Sequence, residues 1–280
     1  MSRSPRRPRH ALRRLLLAAS FAFAAAPAAA NPYLDVCLDP ATPPATAADQ
    51  CRRAAEWGGL SAREAAQAWT TAGVALSEMG RDGDALAALD KAVAADPGYQ
   101  PGWAMRAISR ARRGLSEGAL SDWEEALRRA PRDWRARLAR AAFLLREGRA
   151  EDALADLERA AAMAPREPDV HFNRGLALAE LGRTEAAREA FGRTIRLDPG
   201  DAQAHLRRAL TRADGDPRGA LSDLDAAVRL APDWAAAWAT RGRLQERMGD
   251  AEAAMRDYRR AFELGLQAPW LNERIEALGG

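Results

Sequence analysis

The sequence predicts an all-α fold: a stack of about six helix-turn-helix repeats, with a half-repeat before them and a capping helix after them. Two observations lead to this fold class. Three residue types recur at a step of 34 residues, which shortens once to 33, and each repeat carries two helical stripes. The recurring residues are the prolines Pro97, Pro131, Pro165, Pro199 and Pro232, the glycines Gly80, Gly114, Gly148, Gly182, Gly215 and Gly249, and the alanines Ala85, Ala119, Ala153, Ala187, Ala220 and Ala254.

Residues 1–30 have the plan of a secretory signal peptide. Six arginines precede a short apolar run, and Ala28 and Ala30 then form an A-x-A cleavage motif. The run is shorter than the roughly 20 apolar residues that a membrane-spanning helix needs. We therefore expect cleavage after Ala30 and a periplasmic location. An uncleaved anchor and a twin-arginine export signal, suggested by Arg13 and Arg14, are the alternatives.

Residues 31–65 are predicted to form an N-terminal cap that a disulfide ties together. Ala47, Cys51 and Ala54 have the spacing of the second stripe of a repeat, which indicates half a repeat. Cys37 and Cys51 are the only cysteines, and a close, even pair in an exported protein usually forms a disulfide. A redox pair or a metal site would need a different spacing or further ligands.

Residues 66–268 hold the six repeats, which we number so that each proline is position 32. The first helix carries its stripe at positions 4, 8 and 11, and the second at positions 20, 24 and 27. Position 8 is always glycine or alanine and position 24 is large, so we expect the helices to pack closely there. Glycine ends the first helix and proline the second. Repeat five is one residue short, which predicts an early end to its first helix. Position 4 is Trp69, Trp103, Arg137, His171, His205 and Trp238, and Arg137 departs from the large residues expected there.

These spacings resemble the tetratricopeptide repeat (TPR) family over residues 66–264. The resemblance implies a right-handed α-solenoid in which the first helices line a concave groove that holds peptides. One hairpin cannot bury its apolar face alone, so neighbouring repeats must stack. Residues 269–280 are predicted to be the C-terminal capping helix, with Leu271, Ile275 and Leu278 on one face.

A buried charged pair is predicted inside most hairpins. Position 7 is arginine in repeats two to six, and position 23 is aspartate in four of them, whereas repeat one has neither. We expect structural ion pairs; an anion-binding ladder in the groove is the alternative. In repeat four Ala190 replaces the acid, so Arg174 must borrow a partner. The predicted pairs are Arg106 with Asp122, Arg140 with Asp156, Arg208 with Asp223, and Arg241 with Asp257.

The groove that the resemblance implies is lined by positions 2, 5, 6, 9, 12 and 13 of the first helices. Here that surface is apolar with basic flanks, which suits an extended or helical segment of a partner protein. Part of it must instead pack against the neighbouring helix. The family's grip on a terminal carboxylate, which relies on ordered lysine and asparagine positions, is not matched. The candidate groove residues are Met105, Ile108, Leu138, Leu145, Phe172, Asn173, Leu176, Arg207 and Leu210.

Composition and motifs give little support to catalysis or to nucleic-acid binding. The full chain has a net charge of +3, but loss of the six leader arginines leaves 36 basic and 39 acidic residues. His171 and His205 fall where other repeats place tryptophan, so packing explains them better than metal ligation. The sequence has no H-E-x-x-H motif and no phosphate-binding glycine loop. We expect no enzyme activity, no cofactor, no metal and no stable membrane insertion after cleavage.

Together these features predict a non-catalytic scaffold or adaptor of the periplasm, which binds a segment of a client protein in its concave groove. A chaperone-like or assembly role for cell-envelope or exported proteins is the alternative.

Overall fold

The computed structural model describes residues 31–279, and the expected signal peptide lies outside them. All regular secondary structure in these residues is helical, which confirms the all-α class. No helix among them is both long and apolar enough to cross a lipid bilayer. The helices are α1 Leu34–Leu38, α2 Pro44–Trp57, α3 Ala62–Glu78, α4 Asp82–Ala95, α5 Gln100–Arg112, α6 Ser116–Arg129, α7 Trp134–Arg146, α8 Ala150–Met163, α9 Pro168–Glu180, α10 Thr184–Leu197, α11 Ala202–Arg212, α12 Pro217–Leu230, α13 Ala235–Arg247, α14 Ala251–Glu263 and α15 Pro269–Gly279.

The described chain divides into two compact units, residues 31–143 and residues 144–279, and each is a stack of helical hairpins. In the first unit α1 packs on α2 and α3, α2 packs on α3, and the hairpins α3–α4 and α5–α6 contact each other. In the second unit each helix from α8 to α15 packs against the next one in the chain. The helix pairs α3–α4, α5–α6, α9–α10, α11–α12 and α13–α14 each pack together as a hairpin.

Glycine ends the first helix of five repeats in the left-handed conformation. Gly80 has φ 76°, and the N–H of Arg81 donates to the carbonyl of Leu76 at 2.9 Å, which closes the last turn. Gly114, Gly148, Gly182 and Gly249 repeat this geometry. In repeat five the first helix has 11 residues instead of 13, ends at Arg212, and Gly215 does not adopt positive φ. The deletion of one residue in repeat five therefore shortens the helix and also removes the left-handed glycine turn.

Small residues at position 8 let the large side chain at position 24 lie against the first helix. A methyl group on Gly175 would lie 2.6 Å from Cε1 of Phe191, and one on Gly242 would lie 2.8 Å from Cε1 of Tyr258. Both rings are at most 1% exposed. Neither glycine could carry a side chain without moving the ring, so glycine sets the separation of the two helices at these positions.

The N-terminal cap is held by covalent and polar contacts as well as by packing. Cys37 of α1 and Cys51 of α2 form a disulfide with a Cα–Cα distance of 4.6 Å, and both are buried. Asn31 donates its side-chain amide to the carbonyl of Ala54 at 2.9 Å. Ser61 then begins α3 with a capping box, because its hydroxyl accepts from the N–H of Glu64 and the Glu64 carboxylate accepts from the N–H of Ser61.

The last helix covers the apolar end of the second unit. Leu271 is fully buried against Tyr258 and Ala261 of α14. Ile275 and Leu278 pack beside it and are partly buried. These three residues share one face of α15, which is the arrangement that a capping helix requires.

Candidate functional site

Three of the four predicted arginine–aspartate pairs form two-pronged ion pairs within their hairpins. Arg106 donates from Nε and Nη2 to the two carboxylate oxygens of Asp122 at 2.8 and 2.7 Å. Arg208 makes the same contacts with Asp223, and Arg241 with Asp257. The aspartates are nearly inaccessible to solvent, and this geometry is the strongest form of an arginine–carboxylate bond. In repeat three Asp156 is buried in the same way, and Arg140 is half-buried.

Further charged residues, which the sequence analysis missed, join these pairs. Asp90 accepts from Arg106 at 2.9 Å, and Asp225 accepts from Arg241 at 2.7 Å. Each of these acids lies 16 residues before its arginine, at position 25 of the preceding repeat. In two repeats position 11 is a second arginine. One of these, Arg110, has its Nη1 atom 2.8 Å from Oδ2 of Asp122. The sequence signal for the second arginines is their position: position 11 lies four residues after position 7, on the same face of the helix.

Asp223 has the most crowded environment of the buried acids. It accepts from Arg208 and Arg212, and Nδ1 of His205 lies 3.4 Å from Oδ1 of Asp223. Burial acts to raise the pKa of Asp223, but the hydrogen bonds from His205 and Arg208 and the charges of Arg208 and Arg212 outweigh it. The net effect holds the pKa of this carboxyl below its usual value, so the group stays ionised.

Arg174 differs from the other arginines at position 7. Its Nε is buried and has no hydrogen-bond partner in the described part of the chain. The prediction was that Arg174 borrows a partner, and this nitrogen does not bond to one. Ala190 stands where the other arginine-bearing repeats place the aspartate, so the acceptor of those pairs is absent in repeat four.

The side chains at position 4 share a hydrogen bond that was not predicted from the sequence. In five repeats the side chain donates an N–H to the carbonyl of the proline six residues earlier. Because carbonyl and carboxylate oxygens only accept here, His171 carries a proton on Nε2, and His205 needs a proton on both ring nitrogens to bond to Pro199 and Asp223 together. Arg137 is therefore not a departure, since it supplies the same donor as the indoles and imidazoles. The bonds are Trp103 to Pro97 at 2.9 Å, Arg137 to Pro131 at 3.0 Å, His171 to Pro165 at 3.0 Å, His205 to Pro199 at 3.4 Å and Trp238 to Pro232 at 3.0 Å.

The candidate groove residues differ widely in exposure. Phe172 is only 7% exposed and its ring centroid lies 5.8 Å from that of Phe191, so it is a core residue and not a groove residue. The cause is Gly175, which brings the Phe191 ring close to this part of the helix. Leu210 is 50% exposed and Arg207 is exposed. The half-buried candidates are Met105, Ile108, Leu138, Leu145, Asn173 and Leu176.

Met105 and Ile108 are brought together in a cavity of the first unit. The cavity has a volume of about 410 Å³ and lies between α3, α4 and α5. Val74 of α3 and Leu89 of α4 complete its apolar wall. This volume lies within the range of small-ligand sites in proteins.

A second cavity of about 450 Å³ lies where repeat one lacks its charged pair. Its lining includes Ala72 and Ala88, which stand at positions 7 and 23. Trp69 forms part of the wall, and the ammonium of Lys91 lies 4.2 Å from the centroid of its indole ring. The space that an arginine and an aspartate fill in repeat two is therefore open in repeat one.

Residues 31–279 contain no group of three or more His, Cys, Asp or Glu side chains placed to hold a metal ion. His171 and His205 instead bond to backbone carbonyls, as described above. Both therefore serve the hairpin structure in the geometry seen here.

Tetratricopeptide repeat sequence profiles match most of the repeat region. One profile matches residues 104–168, 144–202 and 172–214, and a second matches residues 66–99 and 235–264. No curated protein sequence matches the chain.

Solved structures of TPR proteins have the same fold. Pseudomonas aeruginosa PilF is 21% identical, with a TM-score of 0.69 over 77% of this chain and 98% of its own. PilW, a type IV pilus biogenesis factor, is 19% identical, with a TM-score of 0.65 over the same shares. YrrB, a TPR protein with an unusual peptide-binding site, is 25% identical, with a TM-score of 0.55 over 68% of this chain and 96% of its own.

Proposed function

Because the chain belongs to the tetratricopeptide repeat family, we propose that it is a non-catalytic adaptor of the periplasm, which holds a segment of a client protein along the first helices of its repeats. The observation that carries this proposal is the cavity beside α5. Met105 and Ile108 are half-buried and line an open space there. The likeness to YrrB, a peptide-binding TPR protein, supports the same function.

The charged pairs support a binding surface that is not built for anions. Arg106, Arg208 and Arg241 direct their donors to buried aspartates inside the hairpins. A buried arginine that already has a carboxylate partner has little to offer a phosphate or a terminal carboxylate. We therefore assign these pairs a structural role.

The cap supports export and cleavage after Ala30. Asn31, the first residue after the expected cleavage site, already bonds to α2, and the disulfide in the cap is typical of an oxidising compartment. We expect the protein in a periplasmic extract to begin at Asn31, which intact-mass measurement would detect. A chain found only in the membrane or cytoplasmic fraction with residues 1–30 attached would contradict this.

In-cell photo-crosslinking tests the adaptor function. A benzophenone amino acid replaces Met105 or Leu210, which represent the cavity and the exposed first-helix surface, or Arg256 as a control on the second helix α14. We expect one dominant protein adduct from the first two positions and none from Arg256. Adducts from Arg256 alone, or from no position, would overturn the proposal.

A role as an assembly factor for the cell envelope is the second candidate function. The likeness to PilF and PilW favours it, because both match 77% of this chain and PilW is a pilus biogenesis factor. In the same crosslinking experiment, many different exported proteins captured from Met105 and Leu210 would favour this function over a single-client adaptor.

A further inference from the structure

Two residues that line the cavity between α3, α4 and α5 each carry a buried polar atom that has no hydrogen-bond partner in the described residues. Ser109 lines it, is only 2% exposed, and its hydroxyl has no hydrogen-bond partner in the described residues. Oε1 of Glu78, also on the lining, is buried and equally without a donor. Buried polar atoms in proteins are almost always hydrogen-bonded, so two in one cavity indicate a ligand that supplies donors.

The charge of the cavity is unbalanced as well. Arg112 lies on the lining, but its guanidinium already contacts Asp82 at 3.1 Å and the hydroxyl of Ser77 at 2.6 Å. Oε1 of Glu78 has no such partner within the described residues. The cavity therefore carries one uncompensated negative charge and favours a cation.

We propose that this cavity receives a lysine side chain from the client segment; the proposal rests on the proposed function and names the residue type that is recognised. Val74, Met105 and Ile108 would pack along the aliphatic stem. The ammonium would donate to Glu78 and Ser109, which are two separate acceptors. A compact ammonium suits them better than the planar fork of arginine, which matches a single carboxylate.

Other side chains fit these contacts less well. An aliphatic side chain would bury Glu78 and Ser109 without any donor, and buried unsatisfied groups disfavour such a complex. An acidic side chain would be repelled by Glu78. The cavity thus selects by charge at its polar end and by shape along its apolar wall.

Methyl NMR on the full chain tests the proposal with n-butylamine, which is a lysine side chain without its backbone and is charged at neutral pH. Methionines labelled with ¹³C in the methyl group report on the site. Met79 and Met105 line the cavity, whereas Met163, Met248 and Met255 lie elsewhere. We expect saturable shifts of the first two signals only, with at least tenfold weaker binding of 1-butanol and of butyrate.

Glu78→Gln removes the charge without changing the shape and should weaken n-butylamine binding by about tenfold or more, since charge-assisted hydrogen bonds are the strong ones. Glu180→Gln is the matched control, because Glu180 stands at the same position of repeat four and lies outside the cavity. It should change nothing. Ser109→Ala, a second variant of the lining, should also weaken binding.

Equal binding of n-butylamine and 1-butanol, or a folded Glu78→Gln protein that binds the amine as the wild type does, would overturn the lysine site. If crosslinking from Leu210 still captures a client in that case, the adaptor function stands and only the subsite is wrong. If the amine binds but neither Leu210 nor Met105 captures a protein, the cavity takes a free small amine, and both the client lysine and the adaptor function are overturned.

Discussion

Asp223 illustrates how the hairpins keep a charged residue in their interior. Burial would favour the protonated acid, but two arginines and a histidine surround the carboxylate and keep it ionised. The energetic consequence is asymmetric. The complete cluster contributes modestly to stability, whereas removal of the aspartate leaves Arg208 and Arg212 partly buried without their partner.

We predict that Asp223→Ala lowers the free energy of unfolding by about 3 kcal/mol, the lower end for a broken buried pair, because both arginines can turn partly towards solvent. Asp225→Ala is the matched control on the same helix. Asp225 is 57% exposed and also pairs with an arginine, so its loss should cost less than about 1 kcal/mol. Urea denaturation followed by tryptophan fluorescence measures both. Equal costs would contradict a special role for the buried acid.

The effect of Asp223 should also depend on pH. Its pKa is lower in the folded protein than in the unfolded chain, where aspartate titrates near about 3.9. The stabilisation is therefore fully present above about pH 4 to 5 and is lost as the pH falls through the lower pKa of the folded state. The difference in stability between wild type and Asp223→Ala should shrink as the pH falls below about pH 4. If this difference in stability grows below about pH 4, the lowered pKa of Asp223 in the folded protein is contradicted.

At the scale of the helix pair, glycine at position 8 sets how closely two helices approach. We predict that Gly175→Ala destabilises the protein by about 1–3 kcal/mol, since the added methyl would meet the Phe191 ring and overpack the interface. Gly83→Ala is the control: no atom lies within 4 Å of its added methyl, and alanine favours the helix by up to about 1 kcal/mol. Thermal melting compares the two, and a stabilising Gly175→Ala would refute the close packing.

The helix pairs also show which features of the structure could be predicted from the sequence alone. The 34-residue step and the stripes predict both helices of each hairpin, because these patterns are local and recur. The shared hydrogen bond at position 4 was not predicted, because Arg137 and Trp103 differ in size and shape and have in common only an N–H donor. The burial of Phe172 depends on where Phe191 lies across the hairpin, which no local pattern contains. The unsatisfied atoms of Glu78 and Ser109 likewise depend on gaps between helices.

At the scale of the whole molecule, the repeats need closed ends, and the N-terminal end relies on a disulfide. The bond between Cys37 and Cys51 closes a loop of about 15 residues, which stabilises by roughly 3 kcal/mol in the chain-entropy model. We predict that dithiothreitol, or the double substitution Cys37→Ala and Cys51→Ala, speeds hydrogen exchange in α1 and α2. Exchange in α14 and α15 should not change.

The double variant treated with dithiothreitol is the control for this experiment, since the reductant should then have no further effect. Unchanged exchange in α1 and α2 after reduction would mean that packing around Tyr33 and Leu34 holds the cap without the disulfide. Faster exchange throughout the chain would contradict the confinement of the effect to the cap.

The hydrogen bond from position 4 to the preceding proline carbonyl frees each hairpin from any one amino acid. A neutral indole, a titratable imidazole and a permanently cationic guanidinium all satisfy the same bond. The charge at position 4 of a repeat can therefore be neutral or positive while the structure of the hairpin stays the same. For a designer of repeat proteins, this site is a place where charge can be chosen independently of shape.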